Sequence, residues 1–166
     1  HIITSLREGS GRAAILLPHG ILFRDSEYEI RKAAIESGLV DAVVGLGANL
    51  FYNSPMESCI LVLRKCKAEK TQQGVLFINA VHEIVHERGA SFLSNENITR
   101  IAKAYEERVA VPGFCKFVQF DKIRHQNFTL NISQYVERTH SNWELSEVET
   151  TVQERLKSWN TTFRDL

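Results

Sequence analysis

Four short apolar runs, each bounded by glycine or polar turns, constrain this chain more than anything else in it. Residues 12–18 read RAAILLP, 40–46 VDAVVGL, 58–63 SCILVL and 75–78 VLFI. A short apolar run without polar alternation suits a strand covered on both faces, as in a parallel sheet packed between helices. Between the first two runs, Asp25 or Ser26 is placed to cap a helix through about Ser37, with Ile30, Ala33 and Ala34 on one face and Gly38 as its stop. Strand, helix, strand over residues 12–46 is a βαβ unit, which builds α/β sheets through right-handed crossovers. The runs at 58–63 and 75–78, joined by a basic stretch, are candidates for a hairpin.

Further along, Ser94 is placed to cap a helix to about Val109, with Ile98, Ile101, Ala102, Tyr105 and Val109 at helical spacing. Residues 110–136 read as irregular with short strands. Ser146 and Glu149 form a capping box, and Val148, Val152, Leu156, Trp159 and Phe163 recur every three or four residues after it. This predicts two parts: 1–136 as the α/β portion and 137–166 as a C-terminal helical extension, docking on a partner or packing on the domain. At the other end, His1–Glu8 reads as the last turns of a helix closed by Gly9 and Gly11, and Met56 is the sole methionine. The expectation is a piece of a longer protein.

The 166 residues carry 20 basic and 20 acidic side chains, so net charge offers no general attraction to nucleic acid. A DNA partner would have to be met by a local patch. Cys59, Cys66 and Cys115 lack Cys-x-x-Cys spacing and read as free thiols of a reducing compartment. No apolar run has the length of a membrane span, and the first residues lack the pattern of a signal peptide. The expected location is the cytoplasm.

His82-Glu83-Ile84-Val85-His86 matches H-E-x-x-H, and Gly89 extends it. On a helix, histidines four apart share one face and can hold zinc while the glutamate activates water. The extended motif needs a third histidine where Phe92 stands, and the motif begins just after a strand-like run. A zinc peptidase is therefore the weakest reading, and a polar loop or short helix with two exposed histidines the favoured one.

Residues 11–24 read GRAAILLPHGILFR, which resembles a signature of the methylation subunits of type I restriction–modification systems. The likeness continues at 39–46 (LVDAVVGL), 49–53 (NLFYN), 59–63 (CILVL), 75–80 (VLFINA) and 131–136 (NISQYV), in the family's order. The resemblance implies part of a site-specific DNA adenine-N6 methyltransferase. Its fold would be the Rossmann-like sheet of S-adenosylmethionine-dependent methyltransferases, of which this chain holds downstream strands. Residues 12–18 would be the fifth strand, 40–46 would lie near an edge, and 58–63 with 75–78 near the antiparallel strand. The family's glycine-rich cofactor loop and its Asn-Pro-Pro-Phe/Tyr motif do not occur in residues 1–166. The main S-adenosylmethionine loop is thus absent from this sequence, and the chain alone is expected to be inactive.

Base-modifying enzymes flip their target out of the duplex and hold it by stacking and edge contacts. In this family an aromatic in the loop before the antiparallel strand provides the stacking face, so the resemblance points to Phe51 or Tyr52, with Asn53 beside them. Arg64, Lys65 and Lys67, with Lys70, are candidates for phosphate contacts, although such a run is more often a solvated turn. His19 and Arg24 follow a strand's carboxyl end, where α/β ligand sites form. The implied partners are duplex DNA, a DNA-specificity subunit and a restriction subunit, with no membrane. The competing reading is a non-catalytic DNA- or subunit-binding module.

Overall fold

The computed structural model describes residues 2–51, 54–65, 74–87 and 90–137. The cysteine at 66, the lysines at 67 and 70, and the whole stretch 138–166 with its apolar stripe lie outside them, as do Tyr52 and Asn53. A short helix α1 (Ile2–Ser5) leads into β1 (Gly11–Pro18), followed by α2 (Tyr28–Glu36), β2 (Val40–Leu46), β3 (Ser58–Lys65) and β4 (Gly74–Ala80). Then come β5 (Val85–Glu87), β6 (Ala90–Phe92), α3 (Asn95–Glu107), β7 (Cys115–Gln119) and α4 (Phe120–His125). Five strands form one mixed sheet in the order β1-β3-β2-β4-β7, while β5 and β6 pair as a separate hairpin.

All four apolar runs are strands, but their neighbours differ from expectation. β3 lies antiparallel between β1 and β2, so β1 and β2 run parallel without touching. β2 is central rather than near an edge, because β4 joins it in parallel on the other side. The expected hairpin of 58–63 with 75–78 does not form, and β4 instead pairs antiparallel with β7. The physical reason is cover. All seven residues of β2 are buried, which demands strands on both edges and side chains on both faces. β1 alternates between half-buried and exposed residues rather than being covered on both faces.

One face of the sheet packs Val43, Cys59, Leu63, Val75 and Phe77 against Ile35 of α2, Ile123 of α4 and the segment Phe128–Val136. The other packs Ala42, Val44, Leu76 and Ile78 against Ala104, Ile101 and Tyr105 of α3. Burial pushes the Cys59 thiol up to about 11 and the Tyr135 phenol up to about 12. Neither ionises near neutrality, and the Tyr135 hydroxyl donates to Thr129 O at 2.7 Å.

Both helices turn only part of the expected apolar stripe inward, Ala34 of α2 and Ile101 and Tyr105 of α3. α2 starts after a 3₁₀ turn at Asp25–Glu27 and buries Arg31 and Ile35, leaving Ile30 64% exposed. Gly38, at φ +66, does end it. α3 is capped by Ser94 in a full capping box with Asn97. It buries Ala104, while Ile98, Ala102 and Val109 face outward. Polar anchoring decides the rotation. Asp41, buried in β2, accepts from Tyr105 Oη and Arg108 Nη2 at 2.5 Å each, with Arg64 Nη2 at 3.6 Å.

Removing the Asp41 carboxylate leaves a half-buried phenol and two half-buried guanidinium groups facing one another. Asp41→Ala is expected to cost about 3–5 kcal/mol. Urea unfolding of variant and parent should show this as a lowered midpoint.

Candidate functional site: the carboxyl edge of the sheet

β1, β2 and β4 all run in one direction and end together at Pro18, Leu46 and Ala80, while β3 and β7 begin at the same edge with Ser58 and Cys115. Ligand sites of α/β sheets form at the carboxyl ends of parallel strands, where the connecting loops converge. Three loops meet here.

The loop after β1 turns through a 3₁₀ helix, His19–Leu22. It is held from beneath by Arg31, which is 5% exposed. The Arg31 guanidinium donates to Ile21 O at 3.1 Å, Arg24 O at 2.6 Å and Phe128 O at 3.2 Å. Desolvation lowers its pKa, with Glu27 and Asp25 acting the other way; a guanidinium starts so high that it stays cationic. Arg24 folds over Gly20, where an added Cβ would come within 2.5 Å of Arg24 Nε. His19 Nδ1 lies 3.0 Å from Glu57 Oε2, across to the next loop.

That next loop joins β2 to β3. Asn49 takes a left-handed conformation, φ 61, which asparagine tolerates better than most residues. Phe51 is 39% exposed and forms an isolated bridge with Ser54. Of the three residues proposed to contact a base, Phe51 is the described one. The third loop follows β4. Here Glu83 accepts from Asn97 Nδ2 at 2.9 Å and Arg100 Nη1 at 2.6 Å, which fastens it to the start of α3.

H-E-x-x-H lies in this third loop, not on a helix. His82 is in a turn, His86 is in β5 with Nδ1 2.8 Å from Ser91 Oγ, and both are exposed. With Glu83 already taken, the arrangement lacks the shared helical face that zinc ligation needs. Among the described residues no cluster of three His, Cys, Asp or Glu side chains is spaced for a metal.

Arg64 and Lys65 of the basic stretch are not brought to this edge. They end β3, roughly 20–23 Å along the strand from Ser58 at ~3.3 Å per residue. Arg64 is spent on Asp41, and Lys65 reaches the exposed Glu8 at 2.7 Å. Sequence patterning missed Glu57 and Arg31. A lone glutamate in a loop and an arginine within a helix give no signal until the fold supplies their partners.

Gly45 and Gly47, at the end of β2, are the nearest thing here to a glycine-rich cofactor loop. An added Cβ on Gly45 would meet Ile132 Cδ1 at 2.7 Å, and one on Gly47 would meet Val81 O at 2.5 Å. Both glycines make room for neighbouring protein, not for a ligand. Among the described residues these glycines do not form an S-adenosylmethionine cradle.

A mixed α/β sheet with one antiparallel strand inserted between parallel ones, and loops gathered at the carboxyl edge, defines a methyltransferase-type Rossmann sheet. The chain belongs to the N-6 DNA Methylase family, whose model matches residues 1–144. It is similar to the type I restriction enzyme MjaVIII methylase subunit of Methanocaldococcus jannaschii, 43% identical over 129 residues, which cover 75% of this chain and 22% of that protein. The MpnII methylase subunit of Mycoplasma pneumoniae is 37% identical over 127 residues, 76% of this chain and 23% of that one. This chain therefore spans less than a quarter of the length of these relatives. Among solved structures, a type I restriction-modification system methyltransferase subunit from Streptococcus thermophilus superposes with a TM-score of 0.71 at 36% identity, over 76% of this chain and 27% of that one. The EcoKI M protein, at 13% identity, shares the fold with a TM-score of 0.60 over 89% of this chain and 40% of its own. Among the described residues no helix is long and apolar enough to cross a membrane.

Gly47 tests whether the edge is as tightly built as it looks. Gly47→Ala drives a methyl group into a backbone carbonyl, which cannot swing aside as a side chain can. The expected cost is about 1–3 kcal/mol, read as a lower denaturation midpoint, whereas Gly38→Ala, with nothing within 4 Å of its Cβ, should be limited to backbone strain.

Proposed function

We propose that this chain is the base-contacting, sheet-completing part of a site-specific DNA adenine-N6 methyltransferase of the type I restriction–modification kind. The observation that carries the reading is the β2–β3 loop. It rises from the carboxyl edge, immediately before the antiparallel strand, and presents an exposed aromatic ring at Phe51. An exposed ring at a converging loop edge is the surface on which an extruded base can stack. Tyr52 and Asn53 continue the loop in sequence, and we assign them the same role, one as a second stacking face and the other as an edge contact.

The partial character of the domain has support of its own. Among the described residues the outer edge of β1 pairs with no strand, and Leu16 on it is 49% exposed. An open edge with exposed apolar side chains is a surface on which further strands pair. S-adenosylmethionine would then be held by sequence that the longer relatives possess beyond the matched part. Within these 166 residues, what the chain does is hold and orient the base. The donor's methyl and the catalytic hydrogen bonds to the adenine amino group come from elsewhere, so this chain alone should transfer no methyl group. A specificity subunit and a restriction subunit are the protein partners that this reading supplies. The location it supplies is the cytoplasm.

Lys65, Lys67 and Arg64 form a separate proposal, because Arg64 and Lys65 stand at the far end of β3 from the stacking edge. Lys65 is the best placed, since its partner Glu8 is exposed and such a pair is worth little.

The test uses the complete methylase, assembled with its specificity subunit, with 2-aminopurine at the target position for the fluorescence and unsubstituted adenine DNA for kcat. Phe51→Ala should reduce the fluorescence change on binding and lower kcat by about tenfold or more, a loss of base positioning. Lys65→Ala with Lys67→Ala should instead weaken binding to all sequences and flatten the salt dependence by about 0.9 for each phosphate no longer neutralised. Unchanged kcat and fluorescence in Phe51→Ala would overturn the stacking role.

A further inference from the structure

Two stems carry the β2–β3 loop, and each is pinned differently. The incoming stem is pinned by packing, with Gly47 pressed against Val81 O. The outgoing stem is pinned by a pairing at the end of β1. Pro18 faces Ser58 as the last rung of the β1–β3 ladder. The chain then adds one rung, with His19 N donating to Glu57 O at 3.2 Å. On that rung the side chains also meet, His19 Nδ1 to Glu57 Oε2 at 3.0 Å. Phe23 packs edge-on against the imidazole, centroids 6.1 Å apart at 84°.

The imidazole is an odd choice if its purpose is stability. A carboxylate accepts, so Nδ1 is the nitrogen that donates. Nε2 is buried and has no hydrogen-bond partner among the described residues. Burying a polar nitrogen without a partner costs about 1–3 kcal/mol. The pair itself is partly exposed, 21% for His19 and 44% for Glu57, and returns little in high dielectric. What the pair does supply is geometry. It ties the loop after β1, already clamped by Arg31, to the residue that ends the loop bearing Phe51.

We propose that His19 and Glu57 are positioning residues that set where Phe51 stands at the carboxyl edge. A functional side chain works when a supporting shell holds it to within a fraction of an ångström. Besides the Phe51–Ser54 bridge and the packing of Leu50 against the core, the β2–β3 loop is placed by its stems. This inference rests on the stacking role given to Phe51 above.

The experiment takes the complete methylase with its specificity subunit through Phe51→Ala, His19→Ala, His19→Asn, Glu57→Ala and the double variant His19→Ala/Glu57→Ala. Readouts are 2-aminopurine fluorescence at the target position, kcat and KM for DNA, and the thermal midpoint. His19→Ala and Glu57→Ala should each lower the fluorescence change and kcat about tenfold, leaving KM for DNA and the midpoint near those of the parent. The double variant should be no worse than either single one, because all three break the same hydrogen bond. Asparagine places an amide N–H where Nδ1 stands and has no orphan nitrogen, so His19→Asn should recover kcat to within about twofold of the parent. If Phe51→Ala is impaired while His19→Ala and Glu57→Ala are not, the positioning role is wrong and the stacking role stands. If Phe51→Ala is itself unimpaired, the stacking role fails and takes the positioning role with it. If His19→Asn is no better than His19→Ala, the pairing is not what matters and the proposal falls. Should His19→Ala fail to fold, Glu57→Ala, which leaves the ring in place, decides the matter by the same readouts.

Discussion

Burying all seven residues of β2, the carboxylate of Asp41 among them, requires hydrogen-bonded strands on both edges and side chains over both faces. The rest of the sheet is arranged to meet that demand. β3 closes one edge in antiparallel fashion and β4 the other in parallel. α3 covers one face and is rotated so that Tyr105 and Arg108 reach Asp41. α2 and the Phe128–Val136 segment cover the other. A buried carboxylate is tolerable only with such partners, which is why the polar contacts, rather than the apolar stripe, set how α3 sits.

The same demand produces the edge proposed to meet the base. Because β3 must return antiparallel beside β2, the chain has to reverse between Leu46 and Ser58, and it does so at the edge where β1 and β4 also end. The reversal carries an exposed aromatic ring into the space where three loops meet. Its stems are set by a glycine against a backbone carbonyl and by the His19–Glu57 rung. Arg31 then couples the β1 loop to the body of the domain through three carbonyl oxygens. A site built in this way is shaped by the sheet and supported by buried polar contacts, which suits orientation of a base more than acid–base chemistry.

Much of this is legible in the sequence, and the limits have physical causes. The four apolar runs, the Ser94 cap and the Gly38 stop are local signals, and each is found where its chemistry predicts. Strand order is not local: a continuous apolar run says that a strand is covered, not which neighbour covers it. Hence β2, expected near an edge, proves central, and β4, expected beside β3, proves to be beside β2. β1 shows the converse, since its apolar run has Leu16 exposed among the described residues. The resemblance carried by residues 11–24 and 131–136 points to the family, which the match over residues 1–144 establishes. Phe51 is proposed through that resemblance, whereas Arg31, Asp41 and Glu57 give no signal in the sequence, because each depends on partners distant in sequence. The H-E-x-x-H match shows how far a short motif can mislead when its residues fall in a turn and a strand.

The central claim, that the β2–β3 loop meets the flipped base, is tested most directly by photochemical cross-linking. DNA with 5-iodouracil in place of the target adenine would be irradiated on the complete methylase and the attached peptide mapped by mass spectrometry. The account predicts attachment within residues 47–57, with Phe51 or Tyr52 as the modified ring. Efficient cross-linking elsewhere in the complex, with residues 47–57 unmodified, would contradict it.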